Sequence, residues 1–208
     1  AGMSFVNYKG NGIASQTVAH GMGSAPEMVI FKNITIAGDN WIVFHDGMTG
    51  GANNQNFMIL NSTAAETSLS TIVNLRTAST ISIGTSDTQN SNNRSYIAYC
   101  FHSVSGFSKF GSYEGNNPSA VTVSLDFTPS FVMIKNVDTA SNWAVYDTAR
   151  SPSNNRDKII AFDTSNAEVT TGGNFIQINT NEFVTNGSGG DGSNKNGDTF
   201  IYWAMKIN

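Results

Sequence analysis

Tyr99-Cys100-Phe101-His102-Ser103-Val104-Ser105-Gly106-Phe107-Ser108-Lys109-Phe110-Gly111-Ser112-Tyr113-Glu114-Gly115 separates two halves that carry the same pattern. Tyr8-Lys9-Gly10-Asn11 returns as Tyr113-Glu114-Gly115-Asn116. Pro26 and the run ending Ile30-Phe31-Lys32-Asn33 return as Pro129 and Met133-Ile134-Lys135-Asn136. Asn40-Trp41-Ile42-Val43-Phe44 returns as Asn142-Trp143-Ala144-Val145-Tyr146. Ile59 to Glu66 returns as Ala161 to Glu168, and Ser95-Tyr96-Ile97-Ala98-Tyr99 as Thr199-Phe200-Ile201-Tyr202-Trp203. The offset stays between 102 and 105 residues and the order is kept. A constant spacing of this kind is the mark of an internal duplication. It predicts two units, residues 1–104 and 105–208, each of a length that suits one β-sandwich.

Within each half the local pattern is that of strands. Residues 4–8 alternate, residues 15–20 read as a second strand, and both end at Gly-rich turns. Residues 27–32 and 130–135 are continuous apolar runs behind a proline, the pattern of a strand covered on both faces. The same holds for the tryptophan strands, 41–45 and 142–147. Further strands are expected at 57–60, 70–76, 80–83 and 95–101. In the second half they are expected at 121–125, 158–162, 175–178, 182–184 and 199–206. Thr63-Ala64-Ala65-Glu66 has capping-box spacing and predicts one helical turn. Residues 87–93, 148–157 and 186–198 read as polar loops. No sustained 3.6-residue period appears. The fold class is therefore all-β: two tandem antiparallel β-sandwich repeats, jelly-roll-like, related by duplication.

Composition narrows the function. Charged residues make up 12% of the chain, about half the usual share of roughly 25%. Neutral polar groups replace them, 26 asparagines among them. The net charge of −4 and the scattered Lys and Arg residues argue against a nucleic-acid partner. No apolar run approaches the roughly 20 residues of a membrane-spanning helix, so no membrane insertion is expected. Cys100 is the single cysteine, expected as a buried small hydrophobe.

Few residues suggest chemistry. The three histidines, His20, His45 and His102, have no counterparts in the second half, and no nucleophile-elbow motif is present. A carboxylate pair drawn from Asp39, Asp46, Glu66, Asp147, Asp163 and Glu168 would suit a glycan depolymerase. Glu66 and Glu168 nevertheless sit at equivalent positions beside turn signals, where capping or solvation accounts for them. Residues 191–198 place oxygen ligands at alternating positions, as calcium loops do. Lys195 falls where a ligand is needed, so a plain loop is expected. No catalytic residue, metal or cofactor is assigned. Trp41, Trp143 and Trp203 occupy repeat positions and read as packing residues. The surface candidates are the loops 47–56, 87–94, 151–157 and 186–198. Their Asn54, Asn92, Arg94, Asn154, Arg156, Asp191 and Asn194 are suited to the hydroxyls of a polyol.

From Ala98-Tyr99-Cys100-Phe101 through Gly106-Phe107-Ser108-Lys109-Phe110-Gly111-Ser112-Tyr113-Glu114-Gly115-Asn116, the chain resembles a tandem-repeat domain of tailed-bacteriophage tail-fibre or tail-tip proteins. Asn142-Trp143-x-x-Tyr146-Asp147-x-x-Arg150 with Asn166-Ala167-Glu168 looks like the second repeat of that domain. The likeness runs from about Phe5 to Lys206. It implies a β-rich virion protein on the particle surface, a homo-oligomer with a trimer favoured, and no catalytic residue set. The expected partners are a host-surface glycan or protein and other virion subunits. The alternative is a capsid-decoration, head-fibre or spacer module whose contacts are purely structural.

Overall fold

The computed structural model describes residues 2–51, 55–172 and 176–207. It divides into two compact units, one of Ala1–Leu60 and Glu66–His102, the other of Asn61–Ala65 and Ser103–Asn208. Every strand pairing among the described residues is antiparallel. No helix among them is long and apolar enough to cross a membrane.

The first unit contains β1 (Met3–Lys9), β2 (Gln16–Ala19), β3 (Met28–Asn33), β4 (Ile42–His45), β5 (Asn56–Ile59), β6 (Thr67–Ser68), β7 (Leu75–Arg76), β8 (Thr80–Ile83), helix α1 (Asp87–Asn90) and β9 (Ser95–Phe101). One sheet has the order β1-β9-β3-β4-β5-β6 and the other β2-β8-β7. Register fixes which side chains enter the sandwich. Val29 lies opposite Phe44 and Cys100, and Phe31 opposite Ile42 and Ala98. All six join one core with Val18, Ile81 and Ile83 of the second sheet. Alternation along each strand sends the other set outward. Met28, Ile30, Val43 and Met58 are buried there too, which is why β3 and β4 read as continuous apolar runs.

The second unit contains β10 (Ser108–Glu114), β11 (Thr122–Ser124), β12 (Phe131–Asn136), β13 (Ala144–Asp147), β14 (Asn155–Arg156), β15 (Lys158–Ala161), β16 (Val169–Thr170), β17 (Ile176–Asn179), β18 (Glu182–Thr185), helix α2 (Gly190–Ser193) and β19 (Thr199–Met205). Its sheets have the orders β10-β19-β12-β13-β15-β16 and β11-β18-β17-β14. The six-stranded sheet matches that of the first unit strand for strand. Val132, Ile134, Tyr146, Phe200 and Tyr202 pack there against Val123, Ile176, Ile178 and Phe183.

Several local expectations are corrected. Residues 63–66 form no helical turn. The Glu66 carboxylate instead accepts from the Thr49 N–H and the Asn56 amide. The expected strand at 70–76 shrinks to Leu75–Arg76. The supposed loops at 87–93 and 186–198 each hold one helical turn, α1 and α2. That at 148–157 holds β14. Trp143 is fully buried, whereas Trp41 and Trp203 are only half-buried. Cys100 is buried, and burial pushes its thiol up to about 12.

Candidate functional site

The polar interior was the part hidden from sequence. Asn90 and Asn194, 104 residues apart, are both fully buried. Asn90 Oδ1 accepts from the Asn11 N–H at 2.8 Å, and its Nδ2 donates to the Ile13 and Gly84 carbonyls. Asn194 Oδ1 accepts from the Asn116 N–H at 2.9 Å, and its Nδ2 donates to the Ser119 and Asn186 carbonyls. Each amide clasps the turn after the first strand of its unit to the short helix. Tyr8 and Tyr113 reinforce the clasp by donating to the Gln89 and Ser193 carbonyls. Asn33 and Asn136 form a second matched pair. Their Oδ1 atoms accept from the next turn, and their Nδ2 groups donate to Asp39 and Asp198.

This architecture sorts the seven candidate residues. Asn54 lies outside the described residues. Asn92 is exposed and Arg94 half-buried, both at the turn before β9 in the first unit. Asn154 is exposed, but its side chain is engaged with the Ile178 N–H and the Asn179 amide. Arg156 is withdrawn from the surface: it is buried, and its Nη1 donates to the Ser151 and Ser153 carbonyls. Asn194 is withdrawn too, since the clasp consumes its amide. Asp191 remains, exposed on α2.

Asp191 contributes to a cleft of about 280 Å³ in the second unit. Ala144 and Tyr146 of β13, Ile159 of β15 and Val169 of β16 supply apolar surface. Ser141, Asn142, Thr164, Asn166 and Asp191 supply the polar rim. Ser141 and Tyr146 are among its lining residues, but their hydroxyl oxygens are turned away from solvent, and neither has a hydrogen-bond partner of normal geometry. Burial pushes the Tyr146 phenol well above its ordinary range. The Ser193 side chain, itself buried, pulls in the opposite direction. A concave apolar surface with a few polar groups at its rim is the usual form of a small-ligand site.

Beneath Ser141 lies Lys135, fully buried, its Nζ donating to the Thr63 and Ser141 carbonyls and facing the Trp143 ring at 5.9 Å. Burial lowers its pKa to about 8, with Asp163 pulling in the opposite direction. The folded protein therefore releases this proton before the unfolded chain does. Stability rises between pH 8 and the unfolded value of 10.5, where the unfolded state binds the extra proton. The gain is on the order of 3 kcal/mol. Urea denaturation of wild type and Lys135→Met across this window should show their stability difference growing in favour of wild type. A constant difference would contradict the depressed value.

The other chemical candidates are committed to structure. Arg150 bridges Asp147 at 2.6 Å and Glu168 at 3.3 Å, so an arginine occupies the space between those two carboxylates. Asp46 pairs with Arg76, and the Asp39 carboxylate accepts from Asn33. Asp163 Oδ1 accepts from the Trp143 N–H. His20 bonds the Thr77 carbonyl, His45 Nδ1 accepts from the Gly47 N–H, and His102 lies 3.7 Å from Glu27. In the calcium-like stretch the Lys195 ammonium sits 3.4 Å from Asp191 and 3.5 Å from Asp198. Burial opposes ionisation of Asp198, but Asn136, Thr139 and Lys195 together hold its carboxyl below the usual range. No group of three His, Cys, Asp or Glu among the described residues is placed to hold a metal.

Over residues 1–207 the chain matches the family described as a domain of unknown function, DUF7483, and it belongs to that family. No curated protein and no solved structure matches it.

Proposed function

We propose that this domain is a non-enzymatic module of a virion appendage that holds a host-surface glycan in the cleft of its second unit. The observation that carries the binding reading is the conjunction in one cleft of apolar surface with the exposed amides of Asn142 and Asn166 and the exposed carboxylate of Asp191. Apolar surface suits the C–H face of a sugar ring, and the rim amides and carboxylate exchange hydrogen bonds with its alcohols. The volume is at the small end of ligand sites and favours a single ring over an extended chain. The virion setting rests on the resemblance of residues 98–116 to tail-fibre repeats and on the low-charge composition. Weak single sites gain strength when an oligomer presents several of them.

A glycan-array assay tests this reading, with Asn166→Ala as the diagnostic variant. Asn166 is exposed at the rim, so truncating its side chain leaves the fold about as stable as wild type. Loss of its amide from a ligand contact lowers affinity about 10-fold, equivalent to about 1.4 kcal/mol. Asp191→Ala, at the rim, weakens binding without unfolding. Glycan binding that survives both substitutions, or a folded protein that binds no glycan, overturns the reading. The second reading, a spacer module with purely structural contacts, draws support from apolar side chains left exposed on the first unit, Phe5 at 60% and Ile34 at 54%.

A further inference from the structure

The two units differ in burial at one matched face. In the second unit, Phe110, Lys135, Val137, Ser141 and Trp143 are all buried. Their counterparts by repeat offset in the first unit are Phe5, Lys32, Ile34, Asp39 and Trp41. Phe5 and Ile34 are exposed, and Lys32, Asp39 and Trp41 are half-exposed. The local geometry is nevertheless the same. Lys32 Nζ donates to the Asp39 carbonyl as Lys135 Nζ donates to that of Ser141. Lys32 stands 5.7 Å from the Trp41 ring, as Lys135 stands 5.9 Å from that of Trp143.

What the second unit has in addition is the segment Asn61–Ala65, which leaves the β5–β6 connection and belongs to the second unit. The Thr63 carbonyl accepts from Lys135 Nζ at 2.8 Å and from the Ser141 N–H at 2.9 Å. Lys32 has the first of its counterpart's two carbonyls and lacks the second. The chain also carries a second copy of the segment. Residues 163–167 lie 102 positions after Asn61–Ala65, in the matching connection between β15 and β16. The two are already shaped alike. The Leu60 N–H donates to the Trp41 carbonyl and the Phe162 N–H to that of Trp143. The Ala64 N–H donates to Ser62 Oγ and the Asn166 N–H to Thr164 Oγ1. Residues 165–167 are exposed.

We propose that a second copy of this chain docks on the first unit, its residues 163–167 seating on the Lys32–Trp41 face as Asn61–Ala65 seat on the Lys135–Trp143 face. The Ser165 carbonyl takes the place of Thr63, accepting from Lys32 Nζ and the Asp39 N–H. Ile34 and Trp41 lose their exposure as Val137 and Trp143 have. The contact is heterologous, one surface on each partner, so it closes into a ring or extends as a filament. Thr164, Asn166 and Ala167 of the docking segment also line the cleft, whereas Lys32 does not, so the Lys32 side separates the two readings.

Mixing of two single-surface variants tests the proposal by sedimentation velocity, with circular dichroism confirming the fold of each. Wild type is expected to sediment above the 22.2 kDa of one chain. Lys32→Glu removes the acceptor surface and Ser165→Pro the donor surface, so each alone is expected to be monomeric. Ala167→Asp serves as the donor variant if Ser165→Pro does not fold. Mixed in equal amounts, the two variants recover one intact contact and are expected to form dimers of twice the chain mass. A wild type that stays monomeric at all concentrations overturns the proposal. So does an oligomer that persists in both variants, or a mixture that yields no dimer. Glycan binding retained by monomeric Lys32→Glu separates this outcome from that of the cleft.

Discussion

Asn194→Ala should lower the stability of the protein by about 2–4 kcal/mol, the largest effect expected of any substitution at a candidate surface residue. The side chain is fully buried and makes three hydrogen bonds, to Asn116, Ser119 and Asn186, none longer than 2.9 Å. Alanine removes the side-chain partner of the Asn116 N–H and of the Ser119 carbonyl and leaves the Asn186 carbonyl with the Gly189 N–H, while emptying a fully buried site. Each such group costs about 1–3 kcal/mol, and neighbouring losses do not add fully. Asn194→Asp should be no better, because a carboxylate cannot donate to two carbonyls. Urea denaturation checks this directly. A loss below about 1 kcal/mol would return Asn194 to the surface role its loop composition suggests.

Gly115→Val should be comparably severe, for a steric reason. A Cβ built at Gly115 would lie 2.1 Å from the Lys195 carbonyl oxygen, and one at Gly10 2.3 Å from that of Ser91. The opposing atoms are backbone, so no side-chain rotation relieves the overlap. The Gly115 N–H donates to the Asp198 carbonyl, and its own carbonyl accepts from the Gly197 N–H. Separating the two strands of chain would break both bonds. Overpacking typically costs about 1–3 kcal/mol, and here the broken bonds add to it. A melting temperature lowered by roughly 6–12 °C is expected, taking about 2–4 °C per kcal/mol for a chain of this length. Unchanged melting would show that the strand after Asn194 can move away.

These two sites show where sequence reading reaches. β3, β4, β9, β12 and β19 were legible because their apolar runs recur at nearly constant offsets of 102 to 104. The two-residue strands β6, β7, β14 and β16 were not, because two residues are too short to display alternation. Thr63 to Glu66 matched a capping box by spacing, yet Glu66 bonds a loop across the strand. Asn90 and Asn194 passed for ordinary loop asparagines in a chain with 26 of them. Their shared offset of 104 was the signal that marked them as a structural pair. Arg156 misled for the opposite reason: a lone arginine in a polar loop reads as exposed, but here it ties that loop to itself. The cleft was least legible of all. Its surface comes from residues 140–146, 159–171 and 191–192, which only the sandwich brings together. Asp191 alone among the six described candidates reached it.

The most direct measurement is a residue-resolved amide NMR titration of the domain with the highest-scoring array glycan. Binding in the cleft should shift the amides of residues 140–142, 164–167 and 191–192 and spare the loops around Asn92 and Asn154. Shifts confined to those two loops, with the cleft amides unmoved, would contradict the assignment of the site.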